Sequence, residues 1–193
     1  HELYIAQAIE GVLMQKVDFE MELVIGEDCS TDSTRAICSD YASKYPGRIR
    51  LLTSDRNHGM MPNFLRTLDS CSGKYIAMCE GDDYWIDPLK LQKQVHFLEA
   101  NTDFGLVHTS ARIFNQKNHK YLRRVAGDPN NSYEDVLIKN RIITATVCLR
   151  NKLLKKCSIE LSEELRNWKM GDYPIWLWFS LNSKIKFLPE ITT

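Results

Sequence analysis

Strand-like and helix-like segments alternate along the first 114 residues, and this alternation restricts the fold more than any other feature of the sequence. Apolar residues at helical spacing predict a helix over about residues 3–15. A strand–helix–strand order requires crossover connections, which give parallel strands in right-handed units. The sequence therefore predicts an α/β domain with a mostly parallel central sheet flanked by helices. The predicted strands are residues 19–25, 48–53, 74–79 and 104–114.

Capping residues predict where the helices between these strands begin. Ser30 or Asp32 is the predicted N-cap of the helix after the first strand, because short polar side chains accept hydrogen bonds from the first helical N–H groups. Pro62 is expected to open the next helix, since proline favours the first helical position. By the same argument, Asp87 caps and Pro88 starts a longer helix.

The pattern loosens after Asn115. Residues 116–131 are polar and contain a glycine, a proline and two adjacent asparagines, which predicts a loop. The segment from Ser132 to Asp135 resembles a capping box. Further strands are predicted at residues 143–150 and 184–190, and an aromatic-rich helix is predicted within residues 170–179.

Length and composition favour one soluble globular domain. A chain of 193 residues suffices for one sizeable core and is short for two, so residues 1–193 are treated as a single domain. The formal net charge of zero argues against a nucleic-acid partner, which needs a basic face. None of the six cysteines forms a CxxC pair, so buried thiols in a reducing cytosol are expected. His108 alternates with apolar residues and is predicted to be a core histidine.

Both ends of the chain are expected to be incomplete parts of the fold. A parallel α/β domain seldom begins with its first helix, so an earlier strand is expected before His1, in the centre of the sheet. The chain also stops directly after its last predicted strand, where a further segment is expected.

Two acidic clusters follow predicted strands, at the edge where parallel sheets bind their ligands. GEDCSTD begins at Gly26 after the first strand, and EGDDYW begins at Glu80 after the third. Asp82 and Asp83 supply hard carboxylate oxygens that suit Mg²⁺ or Mn²⁺, with substrate phosphates completing the coordination of the ion. Taken alone, a pair of aspartates is more often a solvated turn.

Other side chains near these clusters have chemistry suited to a nucleotide. Asp28 is placed to accept a hydrogen bond from a nucleobase N–H, and Tyr84 and Trp85 offer faces for stacking on a base or sugar. Arg66 is interpreted as a solvated helix arginine, with a phosphate contact as the alternative. Asp172 lies at a predicted helix start, where an N-cap is the ordinary role and a general base is the alternative.

Four segments occur in an order that resembles a known family. They are HELYIAQAIEGVLMQ from His1, MELVIGEDCSTDST from Met21, NHGMMPNFLRTLDSCSGKYIAMCEGDDYW from Asn57 and MGDYPIWLW from Met170. Together they look like the motif set of the inverting family 2 glycosyltransferases, whose fold is called GT-A. The resemblance covers essentially the whole chain; its first three motifs are specific together, and the fourth is weaker.

This resemblance implies roles for individual residues. It places a nucleobase contact at Asp28 and a ribose or diphosphate contact at Asp82. It makes Asp83 the ligand of a divalent metal, Mn²⁺ or Mg²⁺, and Asp172 the general base. Glu27 stands where the family usually has aspartate, so the carboxylate is kept but its reach differs. Three residues match the family's polar loop and helix start, which lie near the nucleotide: Asn57, Gly59 and Asn63.

The resemblance further implies transfer of a sugar, with inversion, from a nucleotide-sugar donor to a saccharide or lipid-linked saccharide acceptor. The expected donor is a UDP-sugar, and the expected setting is bacterial surface-polysaccharide synthesis in the cytoplasm. Residues 1–114 would form the nucleotide-binding half, and residues 115–193 the acceptor-binding half. The lysine-rich run at residues 149–157 is ordinarily a solvated helix face; the alternative is peripheral contact with the inner face of the plasma membrane.

Two other functions remain open from the sequence. A sugar nucleotidyltransferase also uses Mg²⁺ beside a parallel sheet, but it needs a glycine-rich, basic phosphate loop after its first strand. A non-catalytic sugar-nucleotide-binding domain would bind the donor without turnover. The sequence contains neither GxxxxGK[ST] nor GxGxxG, which disfavours nucleotide hydrolases and dinucleotide enzymes.

Overall fold

The structure is a computed structural model that describes residues 1–162, 168 and 170–193. It is an α/β fold, as the sequence predicts. The helices are α1 (Ile5–Leu13), α2 (Thr34–Lys44), α3 (Met60–Ser70), α4 (Lys90–Ala100), α5 (Tyr133–Ile138), α6 (Asn151–Glu160) and α7 (Asp172–Asn182). The strands are β1 (Leu23–Gly26), β2 (Ile49–Leu52), β3 (Tyr75–Ala77), β4 (Phe104–Asn115), β5 (Lys120–Ala126), β6 (Cys148–Arg150) and β7 (Lys184–Ile191), and a 3-10 turn (Thr144–Thr146) precedes β6.

The described strands form two sheets with mixed pairing. β1 and β2 pair in parallel, with Leu23 opposite Ile49. In the second sheet the order is β3-β6-β4-β5, and β7 also pairs with β4. The β4–β7 pair is parallel, whereas β3–β6, β6–β4 and β4–β5 are antiparallel. Parallel pairing is therefore found where the sequence predicts it for β1 and β2, but it does not predominate in the second sheet.

An apolar cavity of about 380 Å³ separates β1 from β3. Leu23 and Val24 line it from one side, and Tyr75, Ile76 and Ala77 line it from the other. Among the described strands, β1 pairs only with β2, and β3 pairs only with β6. The cavity thus lies where the sequence analysis expects a further central strand, and the presence of that strand remains a prediction.

The starts of α2 and α3 differ from the predicted ones by a few residues. The N-cap position of α2 is Ser33, with no side-chain capping bond, so the assignment to Ser30 or Asp32 is wrong. Asp32 instead accepts a hydrogen bond from the backbone N–H of Thr34 at 3.0 Å. α3 begins at Met60 directly after a glycine turn, which leaves Pro62 inside its first turn.

α4 begins at Lys90, two residues after the predicted start at Pro88. Asp87 makes a turn before the helix, because its Oδ1 accepts a hydrogen bond from the N–H of Leu89 at 2.9 Å. Its Oδ2 accepts a second one from Nζ of Lys93 at 2.8 Å. Asp87 therefore stabilises the helix entry without occupying the N-cap position, which belongs to Leu89.

The loop predicted at residues 116–131 contains a strand instead. β5 pairs antiparallel with β4, with Ala111 opposite Ala126. Most β5 side chains are exposed, so the strand lacks the alternation of apolar and polar residues that marks a half-buried strand. The capping box is confirmed, since Ser132 Oγ accepts from the N–H of Asp135 at 3.2 Å and both halves of the motif are present.

The largest hydrophobic cluster lies between the second sheet and α7. Trp176 of α7 is completely buried, as are Leu106 and Leu149 of the sheet. His108 is also completely buried, which confirms the prediction of a core histidine. Because α7 is fixed by this packing, its first residue is held at one end of the sheet, beside the 3-10 turn.

α6 carries the lysine-rich run. Lys152, Lys155 and Lys156 are all exposed, and Lys156 pairs with Glu160 one helical turn later at 3.6 Å. Within the described residues, no helix is both long enough and apolar enough to cross a membrane. Contact between this face and a membrane surface remains a prediction.

Candidate active site

Glu27, at the end of β1, anchors the loop that follows. Its side chain is only 3 % exposed. One carboxylate oxygen accepts from the N–H of Ser30 and the other from Nε of Arg35, each at 2.6 Å. Burial raises the pKa of Glu27, but the hydrogen bonds from Ser30 and Arg35 outweigh it and hold the pKa below its usual value. Both oxygens are thus engaged inside the protein, and Glu27 shapes the loop that presents Asp28.

Asp28 connects the end of β1 to the loop before α3. Its carboxylate accepts from the N–H of His58 at 3.0 Å and from that of Gly59 at 2.8 Å. Asn57 Oδ1 accepts from the same Gly59 N–H at 2.8 Å. Gly59 has φ of +91°, a conformation that glycine adopts readily and other residues rarely do. The structure therefore brings three predicted nucleotide-site residues, Asp28, Asn57 and Gly59, into direct contact.

Asn63 and Arg66 link α3 to the ends of β1 and β2. Asn63 Nδ2 donates to the carbonyl oxygen of Gly26 at 2.9 Å, and Arg66 Nε donates to Asn63 Oδ1 at 2.8 Å. Arg66 also donates to the carbonyl oxygen of Glu27 at 2.7 Å and to that of Thr53 at 3.1 Å. Its interpretation as a solvated helix arginine is wrong. The sequence feature that could have indicated these contacts is the position of Arg66 three residues after Asn63, on the same helix face.

The loop after β3 carries the second acidic cluster. Asp82 is exposed and Asp83 is half-buried. Desolvation, followed by the charge of Asp82, raises the pKa of Asp83 above its usual value. None of the ion pairs among the described residues involves either carboxylate. In the described part of the chain, neither carboxylate is therefore engaged in an ion pair.

Glu80 is a member of this site that the sequence analysis did not single out. Desolvation in the cleft, followed by the charge of Asp83, raises the pKa of Glu80 to about 7. The side chain of Glu80 is nevertheless exposed, so solvent screens part of this effect. The charge of Asp172 also acts on Glu80 and raises its pKa. Adjacency to the aspartate pair was the only sequence signal for Glu80.

Asp172 is the first residue of α7 and lies beside the 3-10 turn. Its Oδ2 accepts from the hydroxyl of Thr144 at 3.0 Å, and its Oδ1 accepts from the N–H of Tyr173 at 2.8 Å. The N-cap position belongs to Gly171, so the N-cap interpretation of Asp172 is wrong. A Cβ atom at Gly171 would lie 2.4 Å from Cε of Met61, and glycine therefore permits the close approach of α7 to α3.

A buried network joins the loop after β3 to the 3-10 turn. Trp85 is only 4 % exposed, and its indole N–H donates to the carbonyl oxygen of Ala145 at 2.8 Å. Gln94 Nε2 donates to the carbonyl oxygen of Thr146 at 2.8 Å, and Gln94 Oε1 accepts from Nζ of Lys90 at the same distance. Stacking of a base or sugar on Trp85 is therefore excluded in this conformation, because the ring belongs to the core.

A second cavity of about 380 Å³ opens beside the aspartate pair. Asp82, Asp83 and Tyr84 line it, together with Arg112 of β4 and Tyr121 of β5. The hydroxyls of Tyr84 and Tyr121 lie 2.9 Å apart, so these rings form one aromatic wall. The cavity combines carboxylates, one guanidinium and aromatic faces, which suits a polar ligand that also presents apolar surface.

The donor set at Asp82 and Asp83 fits a divalent cation that shares its coordination with a ligand. Within the described residues, no group of three or more His, Cys, Asp or Glu side chains is arranged to hold a metal by itself. Mg²⁺-type sites commonly use one or two carboxylates and take their remaining ligands from substrate phosphates and water. The pair of carboxylates on this loop meets that description.

The chain is similar to several known proteins in sequence or in fold. Over 170 residues the chain is 28 % identical to TuaG of Bacillus subtilis, named as a teichuronic acid biosynthesis glycosyltransferase; the match covers 86 % of this chain and 65 % of TuaG. TarS of S. aureus, solved with UDP-GlcNAc, matches with a TM-score of 0.71 and 20 % identity over 99 % of this chain and 54 % of that one. The mannosyltransferase PcManGT of Pyrobaculum calidifontis, solved with GDP-Man and Mn²⁺, matches with a TM-score of 0.64 and 14 % identity over 97 % of this chain and 52 % of that one.

The matched proteins are longer than this chain. It spans only 32 % of the length of the curated mycobacterial relatives to which it is 40 % identical. The two structural matches bear out the GT-A fold expected from the motifs. The sequence model described as Glycosyl transferase family 2 matches residues 1–156, which is most of the chain. The chain therefore belongs to glycosyl transferase family 2.

Proposed function

We propose that the protein transfers a sugar from a nucleotide-diphosphate donor to an acceptor hydroxyl, with inversion at the anomeric carbon. The observation that carries this proposal is that a buried hydrogen bond joins the loop of Asp83 to the turn that contacts Asp172. Glu80 experiences the charge of both, although the two aspartates come from loops far apart in the chain. Such a displacement requires two groups: one carboxylate that binds the metal and a second carboxylate that accepts the proton.

The donor nucleotide is assigned to the side of the site formed by β1 and α3. Asp28, Asn57, Gly59 and Asn63 lie together there, with Glu27 holding the loop from inside. The preference for a UDP-sugar is supported by the structural match to TarS, which was solved with UDP-GlcNAc. Asp82, exposed next to the metal carboxylate, is assigned to the ribose or diphosphate.

Asp83 would hold the divalent cation, Mn²⁺ or Mg²⁺. The match to PcManGT, which was solved with Mn²⁺, supports this assignment, as does the pair of carboxylates on the loop. When bound, the ion neutralises charge that develops on the departing diphosphate. The protein itself contributes the carboxylate and a loop that the buried Trp85 fixes.

Asp172 is assigned as the general base that takes the proton of the acceptor hydroxyl. Its carboxylate is half-buried at the first turn of α7, and each oxygen has a lone pair beyond the hydrogen bond it already accepts. A single base without a covalent intermediate gives one displacement and therefore inversion, by analogy with the glycoside hydrolases.

The acceptor is proposed to be a saccharide or a lipid-linked saccharide in surface-polysaccharide synthesis. TuaG, named for teichuronic acid biosynthesis, supports this setting. Residues 115–193 are proposed to bind the acceptor, and residues 1–114 the donor. The cytoplasm, with peripheral contact of the exposed α6 lysines to the inner face of the plasma membrane, is the proposed location.

Asp172→Asn tests the assignment of the base. We expect transfer to fall by at least about a thousandfold, because asparagine cannot accept the proton, while the affinity for the nucleotide diphosphate stays within about twofold. Asp69→Asn, an exposed site on α3, is the matched control and should leave both unchanged. Undiminished turnover in Asp172→Asn would remove the residue as base. A product with the anomeric configuration of the donor would exclude the single displacement.

A further inference from the structure

The carboxylate of Asp172 is oriented by two hydrogen bonds of different origin. The bond from the N–H of Tyr173 belongs to the same helix and moves with it. The bond from the hydroxyl of Thr144, at 3.0 Å, comes from a turn that lies 28 residues earlier in the chain. Thr144 therefore connects the carboxylate to the body of the site rather than to its own helix.

Thr144 is itself held in place. It is only 9 % exposed and begins the 3-10 turn. The next two carbonyl oxygens of the turn accept hydrogen bonds from the side chains of Trp85 and Gln94, each at 2.8 Å. Trp85 belongs to the same loop as Asp83, so the turn fixes the position of Asp172 relative to that loop. A side chain anchored in this way can impose one orientation on its partner.

The other groups described near Asp172 are acidic or apolar, which makes the hydroxyl of Thr144 important for the orientation of the carboxylate. The acidic group on which the charge of Asp172 acts is Glu80, from the loop after β3. From α3, Met61 and Phe64 approach Gly171 with apolar atoms only. Among the described residues, Thr144 thus supplies the hydrogen-bond donor that reaches Asp172 from outside α7.

We propose that Thr144 is the positioning residue for Asp172: its hydroxyl fixes the orientation of the carboxylate that accepts the proton of the attacking hydroxyl. This inference rests on the proposed role of Asp172 as general base. A base that is held in the reactive orientation loses less rotational freedom when the reaction occurs, which raises kcat without changing donor affinity.

Thr144→Val and Thr144→Ser form a matched pair for the test. Valine keeps the shape and removes the donor, whereas serine keeps the donor. Turnover is measured as release of nucleoside diphosphate from a panel of UDP- and GDP-sugars, UDP-GlcNAc included, with Mn²⁺ and water as acceptor. For the donor that the wild-type protein turns over, we expect kcat to fall roughly tenfold to hundredfold in Thr144→Val, with KM within about twofold. Thr144→Ser should restore most of the rate.

The split between kcat and KM, together with rescue by Thr144→Ser, separates positioning from a general loss of structure. A kcat of Thr144→Val equal to that of the wild-type protein, while Asp172→Asn is inactive, would overturn this inference alone. Turnover that survives in Asp172→Asn, or no turnover of any donor by the wild-type protein, would overturn the proposed function and this inference with it.

Discussion

The indole N–H of Trp85 donates to the carbonyl oxygen of Ala145 at 2.8 Å, inside the core. This bond joins two segments that are 60 residues apart. One segment carries the acidic pair, and the other carries the hydroxyl that contacts Asp172. The relative placement of the proposed metal ligand and the proposed base therefore depends on a buried contact that involves neither of them.

Trp85→Phe tests this dependence. Phenylalanine fills most of the space but leaves the carbonyl oxygen of Ala145 without its donor. A buried acceptor that loses its partner costs about 1–3 kcal/mol, so we expect the free energy of unfolding in urea to fall by that amount. Transfer activity should fall as well, because the turn that holds Thr144 loosens. Tyr84→Phe, which removes only a surface hydroxyl contact, is the control. Unchanged stability in Trp85→Phe would contradict the role of this bond.

Gly59→Ala tests the loop that holds Asp28. Gly59 has φ of +91°, and a Cβ atom added there would have no other atom within 4 Å, so alanine adds backbone strain without a clash. The strain should destabilise the protein by about 1–2 kcal/mol. Gly47→Ala is matched to it, since Gly47 has φ of +80° and equally open surroundings away from the site. We expect both variants to lose similar stability in thermal unfolding, and Gly59→Ala alone to lose affinity for UDP. Equal affinity in the two variants would argue against a nucleotide at this loop.

His108 predicts a pH dependence of stability. Desolvation lowers the pKa of His108 to about 4, although its Nε2 contacts Asn131 Oδ1 at 3.0 Å. In the unfolded chain this histidine has a pKa near 6.5. Between about pH 4 and 6.5 the unfolded chain therefore binds a proton that the folded protein does not bind. Stability contributed by the neutral ring is therefore present above pH 6.5 and is lost as pH falls towards 4, by on the order of 2–3 kcal/mol.

Urea unfolding at pH 7, 6 and 5 measures this slope. His108→Gln removes the titrating group and should flatten the dependence over that range, whereas His96→Gln, at an exposed site on α4, should keep it. A slope that His108→Gln leaves unchanged would assign the effect to other groups.

The cavity between β1 and β3 predicts that the sheet accepts one more strand. His1 lies beside the loop after β3, where its ring would be 3.5 Å from a Cβ atom at Gly81. A strand that ends at His1 would enter the cavity parallel to both neighbours. An extension of six Val and Ile residues before His1 should therefore protect the amides of β1 and β3 from hydrogen exchange and raise Tm. A Gly/Ser extension of equal length is the control, and equal protection by both would contradict this prediction.

The parts of the site that follow from local pattern could be predicted from the sequence. Strand ends placed Asp28 and Asp83 at one edge of the sheet, a predicted helix start located Asp172, and the family motifs suggested their roles. Glu80 and Thr144 were not found, because their importance comes from contacts between distant segments, such as the 28-residue separation of Thr144 and Asp172. β5 was missed for another reason: an exposed edge strand has no buried face to impose a pattern.

The central claim is that the acidic loop after β3 binds a metal together with a nucleotide diphosphate. Calorimetric titration of UDP, GDP, CDP and ADP, with and without Mn²⁺, tests it most directly in the wild-type protein, in Asp83→Ala and in the control Asp69→Ala. We predict that one diphosphate, UDP, binds in a Mn²⁺-dependent manner and that Asp83→Ala alone abolishes this dependence. Mn²⁺-dependent binding that persists unchanged in Asp83→Ala, or no binding of any of the four by the folded wild-type protein, would contradict the account.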